Sequence, residues 1–212
     1  MDKTREPRVS LGLYHLFKWS VVSPMLHTYF RGRIYGAQNV PQEGALVVAI
    51  NHASYFDPPI VSNCVGRPVA FMAKEELFEI PLFNQGIRLY GAYPVKRSAA
   101  DRSAIRSAIA ALQEGWAAGI FLTGTRSPDA KITDPKLGAA MIAAKTQSPL
   151  LPVSLWGTEE ILVKGSSIPR PVPITVRIGE PIAPPHSTKR EELEAVTQNC
   201  AAIINQMHDL GR

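Results

Sequence analysis

Six short apolar runs constrain this chain more than any other feature. The first is "ALVVAI", Ala45 to Ile50, bounded by Gly44 and Asn51. It has no polar residue to turn toward water on either face of a strand. A strand of that kind must be covered on both sides, as in a parallel sheet flanked by helices. Comparable runs follow at "PVAFMA" (68–73), "GAYPV" (91–95), "GIFL" (119–122), "LLPVSLW" (150–156) and "ITVRIG" (174–179). "RIYGAQNVPQEG" ahead of the first run reads as a short strand and turn.

Between the runs lie helix formers. "SAADRSAIRSAIAALQEGW" sets Ile105, Ala108, Ile109, Leu112 and Trp116 at helical spacing and opens on Ser98-x-x-Asp101. "KLGAAMIAAKTQ" is a second helix former. The last, "STKREELEAVTQNCAAIINQMH", has Thr188-x-x-Glu191 as a capping box. It carries one apolar stripe: Leu193, Val196, Cys200, Ile203, Ile204 and Met207. Strands alternating with helices predict an α/β fold with a central, mostly parallel sheet flanked by helices. At 212 residues this is a single domain. It is expected over 33–212, behind a short helical segment, 1–32.

That N-terminal segment, "RVSLGLYHLFKWSVVSPMLHTYFRGR", mixes aromatic and aliphatic residues with Arg8, Lys18, Arg31 and Arg33. Lys18 and Pro24 interrupt it, so no run reaches the ~20 apolar residues of a spanning helix. It lacks the clean apolar stretch and cleavage site of a signal peptide. The pattern predicts two short helices broken near "SPM", lying in a membrane interface; a helix packed on the protein's own core is the alternative. The formal net charge of +5 favours anionic partners: nucleic acid, anionic lipid or a phosphorylated substrate. There is no basic helix, zinc spacing or aromatic stacking platform, so no nucleic-acid partner is expected. Cys64 and Cys200 sit among small or apolar neighbours in no metal-ligand spacing, and read as buried free thiols.

"NHASYFD" follows directly on the "ALVVAI" run. In an α/β sheet, ligands bind beyond the carboxyl ends of the strands. Asn51 and His52 therefore stand where chemistry sits. A histidine can take a proton from a hydroxyl near neutral pH, and Asp57 could orient its ring. The same residues also fit a strand end followed by a helix with Asp57 at its cap and Pro58 in its first turn. One carboxylate could serve both ends.

Three further strand ends carry cations: Lys74 in "FMAKEEL", Lys96 and Arg97 in "GAYPVKR", and Arg126 in "FLTGTRS". Each alone is an ordinary surface charge. Together at one sheet edge they would form a cradle for a phosphate. Gly124 would let a backbone N–H approach the anion.

The ordered set resembles the glycerolipid acyltransferases. "NHASYFD" matches their N-H-x4-D motif. "AKEEL", "GAYPVKR", "FLTGTRS" and "LLPVSLWG" resemble the later blocks, in order, over Ile34 to about Gly179. The chain is most similar to the short bacterial type that acylates 1-acylglycerol-3-phosphate. The resemblance implies transfer of an acyl chain from an acyl carrier protein or CoA thioester to the sn-2 hydroxyl of lysophosphatidic acid, making phosphatidic acid. It implies His52 as catalytic base with Asp57 orienting it. It implies Lys74, Arg97 and Arg126 on the acceptor phosphate, and Thr123, Gly124 and Thr125 shaping the acceptor loop. No cofactor or metal is implied beyond the thioester co-substrate. The expected location is the cytoplasmic face of a membrane, as a peripheral or monotopic protein in contact with membrane lipid. One position departs: the third block usually has Pro-Glu where this chain has Leu122-Thr123. That opens two alternatives: another lysolipid acceptor, such as a lyso-ornithine lipid or lysophospholipid, or a non-catalytic phospholipid-binding protein on the same scaffold.

Overall fold

The structure is a computed structural model that describes residues 8–74, 79, 93–95, 100–162 and 168–212. Its strands are β1 Arg33–Tyr35, β2 Leu46–Ile50, β3 Val69–Lys74, β4 Tyr93–Val95, β5 Ala117–Phe121, β6 Leu150–Trp156 and β7 Thr175–Ile178. Its α-helices are α1 Arg8–Phe17, α2 Asp57–Val65, α3 Ala100–Gln113, α4 Gly138–Thr146 and α5 Arg190–Asp209. The strands form one sheet in the order β1-β7-β6-β2-β5-β3-β4. Every pairing is parallel except β6 with β7.

The apolar runs land where their composition demands. β2 is buried at all five positions, with β6 on one side and β5 on the other. Alternate residues of a strand face opposite sides. Leu46, Val48 and Ile50 pack with Leu26, Phe30, Ile60, Val61 and Val65, from the N-terminal segment and α2. Val47 and Ala49 pack with Ala108, Leu112, Ile142, Ala143, Cys200 and Ile204, from α3, α4 and α5. Each fully buried Val, Leu or Ile contributes roughly 1.5–3 kcal/mol relative to exposure. Both faces of β2 therefore need helices, and the two clusters supply them. Cys64 and Cys200 are free and buried, and burial pushes each thiol up to about 12.

The N-terminal segment differs from expectation. It does not break near Ser23. Wide i→i+5 turns over Lys18–Val22 and Met25–Tyr29 flank Ser23 and Pro24, which are themselves helical. The wide register absorbs the amide that Pro24 lacks. Ser20 and Thr28 hydroxyls donate back to the carbonyls of Leu16 and Pro24 at 2.7 and 2.6 Å. One face docks on the core through Tyr14, Val22, Leu26 and Phe30, and the Tyr14 hydroxyl donates to the Ser62 carbonyl. The other face leaves Val9, Leu16, Phe17, Trp19 and Val21 exposed. Among the described residues no helix is long and apolar enough to cross a membrane.

The start of α5 is also corrected. Lys189 is the cap residue and makes no side-chain cap bond. The bracing comes from Ser187, not Thr188. Its amide and hydroxyl both donate to Glu192, at 2.9 and 2.8 Å, and its oxygen accepts the Lys189 amide at 3.2 Å. The helix begins one residue later than the Thr188 box requires, and Ser187 with Glu192 brackets its start instead. Ser98, the predicted start of α3, lies outside the described residues.

Candidate active site

Asn51 is fully buried where β2 ends. Its amide donates to the carbonyls of Ala130 and Leu155 at 2.9 and 2.8 Å, and its oxygen accepts the Leu155 amide at 2.8 Å. The side chain thus clasps the end of β2 to β6 and to the loop after β5. Sequence reasoning gave Asn51 no such part. A buried amide satisfied on both ends is visible only once three distant segments meet.

His52 follows, with its side chain 17% exposed, beside Asp57 at 0%. Asp57 Oδ2 lies 2.8 Å from His52 Nδ1. The same oxygen accepts the Ala53 and Ser54 amides at 2.8 Å each. Oδ1 is buried and has no partner. The division of labour between the two oxygens that the sequence allowed is therefore absent. Nor does Asp57 cap α2: it is the helix's first residue, with proline next, and Phe56 holds the cap position. The carboxylate turns back onto the loop before it, because that loop offers two free amides and an imidazole. Three donors on one oxygen fix the carboxylate rigidly. A carboxylate on Nδ1 sets the tautomer with the proton there, leaving the Nε2 lone pair for a reactant.

The imidazole plane is set from below. It stacks on Phe121 at 3.8 Å and 16°, and Phe121 stacks on Phe71 at 5.5 Å. Phe71 lies over Gly119, where a Cβ would fall 2.2 Å from its ring. Glycine at 119 is required by that close approach.

The loop after β5 closes over the histidine segment. The Leu122 amide donates to the Ile50 carbonyl at 2.9 Å and the Ser127 amide to the His52 carbonyl at 2.8 Å. Gly124 has φ 69, which suits glycine, but its N–H is already bonded to the Phe121 carbonyl at 3.0 Å. Its own amide is thus held within the turn. The Thr123 hydroxyl donates to the Thr125 carbonyl at 2.5 Å, inside the same turn. Arg126 is exposed and reaches back to Tyr55, one loop away. Lys74 closes β3 at the same sheet edge, and its side chain lies outside the described residues. Arg97 and Lys96 lie wholly outside them. Arg126 is the member of the predicted phosphate set whose side chain falls among the described residues. Burial raises the Glu159 carboxyl above its ordinary value, with Glu160 and Asp57 adding to the shift. Among the described residues no cluster of three His, Cys, Asp or Glu is placed to hold a metal.

A buried histidine–carboxylate pair thus stands at the carboxyl edge of a mostly parallel sheet, with Arg126 of the facing loop laid on Tyr55 of the histidine loop. The comparisons place the chain more narrowly. The Acyltransferase family model matches residues 31–156, more than half of the chain. The chain belongs to that family. It is 30% identical over 187 residues to the 1-acyl-sn-glycerol-3-phosphate acyltransferase of Bacillus subtilis, covering 84% of this chain and 88% of that one. It is 29% identical over 151 residues to a chloroplastic enzyme of the same name from Brassica napus, covering 70% of this chain and 43% of that longer one. Among solved structures, the 1-acyl-sn-glycerophosphate acyltransferase of Thermotoga maritima matches with a TM-score of 0.70 and 27% identity, over 94% of this chain and 89% of that one.

Proposed function

We propose that this chain transfers an acyl group from a thioester to the sn-2 hydroxyl of 1-acyl-sn-glycerol-3-phosphate. The observation that carries the reading is the His52–Asp57 pair, held at the end of β2 with Arg126 across the loop. The activity for which the Bacillus relative is named supports it. His52 Nε2 takes the hydroxyl proton as the oxygen attacks the thioester carbon. Asp57 stabilises the imidazolium that forms. The tetrahedral intermediate collapses, the C–S bond breaks, and the imidazolium returns the proton to the leaving thiolate. The products are phosphatidic acid and a free thiol. Arg126, with Lys74 and Arg97, holds the acceptor phosphate, and the Thr123–Thr125 turn shapes its approach. Holding acceptor and thioester against one base supplies much of the rate.

The donor is an acyl carrier protein or CoA thioester. The chain works at the cytoplasmic face of a membrane, attached through residues 1–32. The exposed Leu16, Trp19 and Val21 face supports that attachment. The decisive experiment mixes purified protein, lysophosphatidic acid and each donor type, and follows thiol release. His52→Ala is expected to lower kcat at least ~100-fold, the share of a positioned base. Absence of transfer to every lysolipid acceptor, with either donor, refutes the reading. A second reading, another lysolipid acceptor, is favoured by one observation: Thr123 is neutral and turned into its own loop. Acceptors with and without a terminal phosphomonoester separate the two.

A further inference from the structure

Tyr55 lies in the middle of the loop that carries His52 and Asp57, and its side chain is conspicuously open, at 68% exposure. Arg126 covers it. The guanidinium carbon sits 3.8 Å from the ring centroid, and Nη2 donates to the phenolic oxygen at 2.9 Å. Among the described residues no carboxylate pairs with Arg126. Thr123, three residues earlier, gives its hydroxyl to Thr125 instead. The next residue, Ser127, is bonded by its amide to the His52 carbonyl. The backbone therefore ties the two loops together, and Tyr55 sets where the guanidinium points.

A guanidinium has five N–H donors in a planar fork. Tyr55 occupies one of them and one ring face. The rest remain for an anion. The phenol is also uncharged: it orients the arginine without cancelling its charge, which a carboxylate in its place would do.

We propose that Tyr55 is a positioning residue for an anionic acceptor, holding Arg126 fully charged across the His52 loop so that a phosphomonoester binds in register with the base. This rests on the acyl-transfer reading for its substrate. It adds a residue from the histidine loop to the acceptor clamp.

The test measures binding of lysophosphatidic acid in detergent micelles, with no donor present, as a double-mutant cycle. Loss of an exposed cation–π contact is worth roughly 2–5-fold, and loss of a hydrogen bond to a charged group adds to it, so Tyr55→Ala is expected to weaken Kd about 10-fold. Tyr55→Phe keeps the ring and loses about 3-fold. In an Arg126→Ala background, Tyr55→Ala is expected to change Kd less than about 2-fold, because coupled residues are not additive. In turnover, Tyr55→Ala raises acceptor KM while kcat at saturating acceptor and donor KM hold. Independent, multiplying effects of the two substitutions, or an unmoved Kd in Tyr55→Ala, overturn the proposal. A wild type that binds lysophosphatidic acid but releases no thiol overturns acyl transfer and leaves the positioning result standing. A wild type that does not bind it overturns both.

Discussion

Asp57→Asn isolates charge from shape at the site. Asp57 Oδ2 receives His52 Nδ1 and the Ala53 and Ser54 amides, all at 2.8 Å. An asparagine oxygen in that place accepts the same three donors. Its amide nitrogen then replaces Oδ1, which is buried and already without a partner. The local backbone and the imidazole tautomer are therefore retained, at a cost of about 1–3 kcal/mol for the unpaired NH2. What is lost is the negative charge beside the imidazolium. Two unit charges about 4 Å apart at an effective dielectric of about 20 interact by roughly 4 kcal/mol. With Asp57 wholly buried and His52 mostly so, most of that interaction is realised. At ~1.4 kcal/mol per tenfold, kcat is expected to fall roughly 100–1000-fold. KM for either substrate stays within about threefold, because Asp57 touches neither in the proposed arrangement. The assay is thiol release under saturation by both substrates, with urea unfolding as the check on folding. A folded variant with kcat within tenfold of wild type would refute the electrostatic argument. A variant whose loss lies entirely in acceptor KM would refute the assignment of Asp57 to His52.

Gly119→Ala drives a methyl to 2.2 Å from the Phe71 ring, so Phe71 must move, and with it Phe121 beneath His52. Overpacking of this kind costs about 1–3 kcal/mol in urea unfolding, and kcat is expected to drop together with stability. Replacing the exposed Leu16 and Trp19 together by serine is expected to weaken sedimentation with phospholipid vesicles several-fold; the fold should tolerate it, since both side chains face away from the core. Unchanged vesicle binding removes the N-terminal face as the attachment. His208 is buried near the end of α5, and burial first, then Lys131, hold its protonation below the ordinary range. A depressed histidine makes the unfolded chain the better proton acceptor, so this contribution is complete above about pH 6.5 and is lost as pH falls through the lowered folded value. Urea midpoints measured from pH 7.5 to 5 are expected to decline, and His208→Gln is expected to flatten the part due to this group.

The apolar runs made the sheet legible because a strand without a polar face has few places to go. Leu150–Trp156 matches its run, and the others match within a few residues. Both cysteines read correctly from their neighbours. Local signals failed where competing donors stood nearby. The sequence also allowed Asp57 to cap α2, yet two upstream amides and an imidazole claim the carboxylate. Pro24 was expected to break the N-terminal helix, yet wider turns carried the chain past it.

By itself the sequence determined the alternation of strands and helices, the burial of β2 and the ordered motifs that set His52, Asp57 and Arg126 just beyond β2 and β5. Those follow from residue type and spacing, which act over a few positions along the chain. The tertiary structure decided what spacing cannot reach. It joined Asn51 to Ala130 and Leu155, 79 and 104 residues away. It stacked His52 on Phe121 and laid Arg126 on Tyr55, 71 residues apart. Such contacts depend on which strands lie side by side, and β2 meets β5 and β6 only after the chain has crossed over the sheet. Whether His52 and Asp57 formed a pair or merely ended a strand was settled by where the buried oxygen found its donors.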